Sequence, residues 1–111
     1  MYKEIQGHPD YAISDSGEVV SFKGRNCKVL LPDLSNGYPR VKIDNEKRYI
    51  ADLVAEYFLR KPKDSNYKIF YIDGNRENCK ADNLTWLSPS DVQRFSQYTV
   101  EYRKQFLGEW A

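Results

Sequence analysis

The chain has 111 residues, 41% of them hydrophobic and 14% aromatic, which suits one folded domain, or two small modules sharing a core, and excludes wholesale disorder. No apolar run approaches the roughly 20 residues that span a bilayer, and the start Met1-Tyr-Lys-Glu-Ile-Gln-Gly7 lacks the apolar stretch of a secretory signal; the expected address is cytoplasmic, and no membrane partner is expected. The formal net charge is +1 but unevenly spread: residues 19–63 carry +5, against −3 before them and −1 after them. That concentration is what phosphate contacts need, since each neutralised phosphate adds salt-sensitive affinity, although an ordinary solvated strand face has the same look.

In chain order, short strands separated by turn residues come first: 2–5, a turn at Gly7-His8-Pro9-Asp10, 11–14, a turn at Asp15-Ser16-Gly17-Glu18, then 19–23, 27–31 and 38–44. Asn36-Gly37 and Asp44-Asn45-Glu46 add further turn signals. These segments predict a small antiparallel sheet. Alternation in Pro39-Arg40-Val41-Lys42-Ile43 puts Arg40 and Lys42 on one face and Val41 and Ile43 on the other.

The period then changes. Ile50, Leu53, Val54, Tyr57 and Phe58 form the stripe of an amphipathic helix over 49–60. Pro62 and Asp64-Ser65-Asn66 end it, leaving Arg60, Lys61 and Lys63 near its C-terminus, where cations suit the helix dipole. A hairpin follows, with strands at 68–72 and 84–87 around a polar loop opened by Asp73-Gly74-Asn75. Ser88-Pro89-Ser90-Asp91 combines an N-cap serine, a first-turn proline and an acid, so the final helix should run from 89 to about 107, with Gly108 as its stop. The stripe Val92, Phe95, Thr99, Tyr102 and Phe106 would face one way along it.

Metal and thiol chemistry find little support. Cys27, Cys79 and His8 are one ligand short of a structural zinc site even if all three converged, and the two cysteines read as reduced buried thiols. Asp73, Glu77, Asp82 and Asp91 put four acids in or beside the loop, with Asp73 and Asp91 as weak candidates for a hard cation, although such loops are usually just solvated.

The residues carry a resemblance in two parts. Tyr2-Lys-Glu-Ile-Gln-Gly7, the run from Tyr11 to Ser21 and Gly37-Tyr-Pro-Arg-Val-Lys-Ile43 resemble the NUMOD-type module found beside homing-endonuclease domains. Leu53-Val-Ala-Glu-Tyr-Phe58, Ile72-Asp-Gly-Asn75 and Asn83-Leu-Thr-Trp86 resemble the HNH domain of phage and intron homing endonucleases. Together they cover about four-fifths of the chain. The resemblance implies an α+β fold, with a NUMOD-type β module over 1–48 and an HNH-like domain over 49–111 whose helix, hairpin and helix are of the ββα-metal, or His-Me finger, type.

It also implies an activity, DNA cleavage with one divalent metal, in which a histidine activates water and neighbouring side chains hold the ion. Carried over residue by residue, the base position falls on Tyr71, the adjoining ligand position on Phe70 and the helix ligand on Val92. Ala51 stands where the family often has a histidine, and Asn83 alone matches. A phenol near its usual pKa of about 10 is a poor base at neutral pH, and neither Phe70 nor Val92 binds a metal. The expected protein is therefore a degenerate relative, of phage or mobile-element origin, that binds rather than cuts, with no cofactor unless residual nuclease activity calls for Mg²⁺ or another divalent metal.

Its candidate DNA contacts are Lys23, Arg25, Lys28, Arg40, Lys42, Arg60, Lys61 and Lys63. Two alternatives stand beside it. One is a protein-binding inhibitor or regulator of a host protein, or a homodimer, using the surplus aromatics Tyr98, Tyr102, Phe106 and Trp110. The other is a residually active nicking endonuclease. Homing enzymes often carry a further DNA-binding segment, and none follows Ala111 in this sequence, which weakens the expectation of a site-specific nuclease.

Overall fold

The computed structural model describes residues 1–24, 26–62 and 64–107; Arg25, Lys63, Gly108 and Trp110, named above, lie outside them. The architecture is α+β. Strands β1 (Tyr2–Ile5), β2 (His8–Ser14), β3 (Val19–Ser21) and β4 (Lys28–Val29) form an antiparallel sheet in that order. Next come a hairpin of β5 (Arg40–Ile43) and β6 (Glu46–Tyr49), helix α1 (Ile50–Phe58), and a second hairpin of β7 (Lys68–Tyr71) and β8 (Leu84–Leu87). A single 3₁₀ turn at Ala81–Asn83 leads into β8, and helices α2 (Pro89–Ser96) and α3 (Val100–Leu107) complete the fold. Among the described residues no helix is long and apolar enough to cross a membrane.

Two clusters hold these elements. The larger gathers Ile5, Tyr11, Ile13 and Val19 from the first sheet, Val41 and Ile43 from β5, Ile50, Leu53 and Val54 from α1, and Leu84 from β8. The helix stripe thus finds a partner on both sides, and each of its fully buried aliphatic side chains contributes about 2 kcal/mol of burial. The smaller cluster joins Phe70, Ile72 and Leu87 to Phe95 of α2 and Leu107 of α3, with Val92 and Tyr98 against it. Adjacent residues of a strand face opposite ways, so Tyr71 packs on the larger cluster and Phe70 belongs to the smaller.

Backbone contacts also couple the N-terminal sheet to the hairpin loop. The β2–β3 turn is drawn together by Ser14, whose Oγ accepts from the Ser16 and Glu18 amides at 3.3 and 3.0 Å. Its Asp15 carbonyl then accepts from the Ala81 amide at 2.8 Å. Gly17 sits in that turn at φ +85°, and a Cβ there would lie 3.1 Å from the Cys79 carbonyl oxygen.

The chain departs from the sequence expectations in several places. Strand β2 begins at His8, because the turn is the two-residue Gln6-Gly7 with Gly7 at φ +82°; Pro9 is tolerated near the strand's start, where its missing N–H matters least. Glu46–Tyr49 is a strand rather than a turn leading into a helix. Asp44 and Asn45 take φ +47° and +71°, the signature of a tight two-residue hairpin turn, and pair Ile43 with Glu46. Helix α1 stops at Phe58, so Arg60 and Lys61 lie beyond it. The cation serving its end is Lys3 of β1, whose Nζ donates to the Tyr57 carbonyl at 2.8 Å. The final helix is two helices: Thr99 caps the second, its Oγ1 accepting from the Tyr102 amide at 3.3 Å. Cys27 is exposed, and only Cys79 is buried.

Candidate functional site

A cleft of about 560 Å³ opens where α1, the β5–β6 hairpin, β7 and α3 meet, lined by Tyr38, Pro39, Tyr49, Ala51, Asp52, Ile69, Phe70, Tyr71, Gly74, Ser96 and Arg103. It brings together three positions singled out from the sequence: Ala51, Phe70 and Tyr71. Val92 is half-buried against the Phe70 cluster and does not line it.

Tyr71 is half-buried, and its hydroxyl has no hydrogen-bond partner among the described residues. Burial first, then the nearby Cys79 and Tyr38, pushes its pKa well above that of an ordinary phenol, so the hydroxyl keeps its proton at any physiological pH. Phe70 is 8% exposed, and the Arg103 guanidinium lies over its ring at 5.3 Å. Arg103 is held by three backbone carbonyls, those of Phe95 at 2.9 Å, Ser96 at 3.0 Å and Ile72 at 3.3 Å. No carboxylate among the described residues lies within ion-pair distance of it. Asp52, an exposed residue in the first turn of α1, has its carboxyl raised by desolvation, which Arg48 only partly offsets.

Asn83 is 6% exposed and fully engaged in the loop. Its Oδ1 accepts from the Asp73 amide at 3.0 Å, while its Nδ2 donates to Asp73 Oδ1 and the Asn78 carbonyl, both at 2.9 Å. Asp73 Oδ1 also accepts from the Asn75 amide, and Oδ2 from Asn78 Nδ2, each at 2.8 Å. Partial burial works to raise the Asp73 carboxyl, and these hydrogen bonds outweigh it and lower its pKa. Asp73 is thus spent on the loop, and Asp91 faces Arg94 at 4.0 Å. Among the described residues no three of His, Cys, Asp and Glu stand close enough to hold a metal ion.

The basic candidates divide by partner. Lys23 pairs with Asp44, whose carboxylate also accepts from His8 Nδ1 at 2.7 Å, and Arg40 is tied to Asp33 at 3.1 Å and Ser35 Oγ at 3.3 Å. Lys28, Lys42, Arg60 and Lys61 are exposed and have no ion-pair partner among the described residues. Lys42 stands directly across from Lys47 in the β5–β6 register, an opposition that destabilises a hairpin unless an anion relieves it. Tyr98, Tyr102 and Phe106 form a ladder with centroids 4.5 Å apart at each step, and the last two are 40% and 42% exposed.

Sequence reasoning missed Lys47, Tyr38, Arg76 and Arg103. The Asp44-Asn45 turn, read as a two-residue hairpin, would have set Lys47 opposite Lys42. Tyr38 and Arg76, whose guanidinium lies 5.0 Å from the Tyr38 ring, carry no local signal, and Arg103 is one cation of a helix until the fold folds it back.

Comparison with known proteins fits this geometry. Residues 2–44 match the model of the NUMOD4 motif. Over 88 residues the chain is 30% identical to the uncharacterized HNH endonuclease L247 of Acanthamoeba polyphaga mimivirus, which covers 77% of this chain and only 22% of that protein. The chain therefore spans about a fifth of that relative's length. The solved structure titled "DNA binding and cleavage by the HNH homing endonuclease I-HmuI" shares the fold with a TM-score of 0.70 at 24% identity, over 95% of this chain and 64% of that one. The N-terminal motif and the sequence likeness support the HNH endonuclease family, and the fold is shared with an HNH homing endonuclease.

Proposed function

We propose that this chain is a DNA-binding member of its family that does not cut. The observation that carries the reading is the chemistry of the cleft: a half-buried phenol whose pKa burial pushes upward stands at the base position, and Phe70 beside it is covered by a guanidinium. The residues present do not fit a divalent ion, since Phe70 and Val92 offer hydrocarbon and Arg103 brings a fixed positive charge. No hydrolytic step is assigned to the site.

Binding falls to the β5–β6 hairpin, where Lys42 and Lys47 await an anion, with Lys28, Arg60 and Lys61 as further exposed cations. The name of the structural relative couples DNA binding with cleavage; this chain retains the first. The viral relative fits a mobile-element origin. The test pairs two assays on the natural chain. It should retard duplex DNA at about 50 mM salt and release it steeply as salt rises, while leaving supercoiled plasmid intact with Mg²⁺ or Mn²⁺. Metal-dependent nicking overturns the reading. Nicking gained only by a Phe70→Asp, Tyr71→His, Val92→Asn variant supports it.

One observation favours a second reading, contact with a protein. The exposed rings of Tyr102 and Phe106 offer a rigid aromatic strip of the kind used as interface anchors. Light scattering over a range of concentrations tests its simplest form, a homodimer.

A further inference from the structure

We propose that the aromatic cleft receives a single unpaired nucleobase from the DNA held by the β5–β6 hairpin, an inference that rests on the DNA-binding reading above. The cleft's 560 Å³ is within the range of small-molecule sites. Its walls carry the rings of Tyr38, Tyr49 and Tyr71, and bases of every kind stack on such faces. Polar groups that could meet a base edge are also in place. The hydroxyls of Tyr38 and Tyr71 have no partner among the described residues, whereas that of Tyr49 accepts from Asn36 Nδ2 at 2.8 Å, and Asp52 and Ser96 line the same space.

Charge selects a base attached to phosphate over a neutral apolar side chain. Arg76 over Tyr38 and Arg103 over Phe70 put two guanidinium groups on the cleft's rings, neither paired with a carboxylate among the described residues. The cleft is also continuous with the basic hairpin. Tyr49, a wall residue, lies two positions beyond Lys47 on β6 and so shares its face, as Arg40 opposite it shares the face of Lys42. Two strand residues span about 7 Å. A phosphate on Lys42 and Lys47 therefore leaves its neighbouring base within reach of the tyrosines.

The experiment compares, by fluorescence anisotropy, one short duplex in two forms: fully paired, and with one extra unpaired adenine in one strand. The natural chain should prefer the bulged form by roughly 5- to 150-fold, the range that base–aromatic stacking supports. Tyr38→Ala and Arg76→Ala, at two exposed residues, should each reduce that ratio by at least half. The ratio is internal to each variant, so a general loss of affinity does not imitate the effect. Equal binding of the two duplexes by the natural chain overturns the inference and leaves the DNA reading intact, whereas binding of neither overturns both. An undiminished ratio in both variants overturns the assignment to the cleft. Loss of the preference to a modest excess of free deoxyadenosine monophosphate shows a free-nucleotide site and overturns the DNA-borne assignment.

Discussion

Asn83→Ala separates a folding residue from a chemical one. The amide makes three hydrogen bonds inside the β7–β8 loop, to the Asp73 amide, the Asp73 carboxylate and the Asn78 carbonyl, at 2.9–3.0 Å. Each is worth about 1 kcal/mol net, and a truncated side chain leaves its partners to recover water from a half-buried position, so a loss of about 3 kcal/mol is expected. For a chain of this size that is roughly 13 °C in melting temperature. Urea denaturation should show a lower midpoint with an unchanged slope. The pH dependence gives a second handle. The Asp73 carboxyl is lowered in the folded state, so its stabilisation is present above an unfolded value of about 4 and is lost as pH falls through the folded value. The gap between natural chain and variant should therefore narrow in acid. A loss under about 1 kcal/mol, or a gap indifferent to acid, would refute the claim that Asn83 is retained to hold the loop.

Three further outcomes follow from the geometry. Replacing both Lys42 and Lys47 by Gln should flatten the salt dependence of DNA binding by about 2 in logarithmic slope, while stability holds or rises slightly as the like-charge opposition goes; an unchanged slope would put the phosphate contacts elsewhere. Cys79 is buried, with its thiol pushed up to about 11 by desolvation, so a thiol reagent at mildly alkaline pH should titrate Cys27 at once and Cys79 only on unfolding. Equal rates in the folded protein would contradict the burial. Gly17→Ala combines a positive φ with a Cβ driven against a backbone carbonyl and should cost about 2 kcal/mol in thermal unfolding; a neutral result would mean the turn can move away from the loop.

Much of the fold could be read where local chemistry and tertiary need agree. The α1 stripe, the 84–87 strand and the Ser88 cap all follow from spacing and turn residues, and Ser88 Oγ does accept from the Asp91 amide at 3.3 Å. Strand β6 was hidden because Glu46–Tyr49 is polar at three of four positions, so no alternation marks it and only its register against β5 makes it a strand. The α2–α3 break was hidden for the opposite reason: aromatic spacing continues across it, while the Thr99 cap that starts α3 looks like any helical threonine. The cleft was legible as three family positions, yet its guanidinium groups and one of its aromatic walls come from residues 76, 103 and 38, which only the folded chain gathers.

The core that runs from Ile5 to Leu84 has a consequence for the cleft. Because the N-terminal sheet and the hairpin bury one another, losing either half would bare the apolar face of the other. The cleft shares that packing: Ala51 and Tyr71 sit on the larger cluster and Phe70 in the smaller, so a changed side chain there is felt in the core as well as in the site. A folded chain thus depends on Leu84 and Asn83 and also on the size of the side chains that line the cleft.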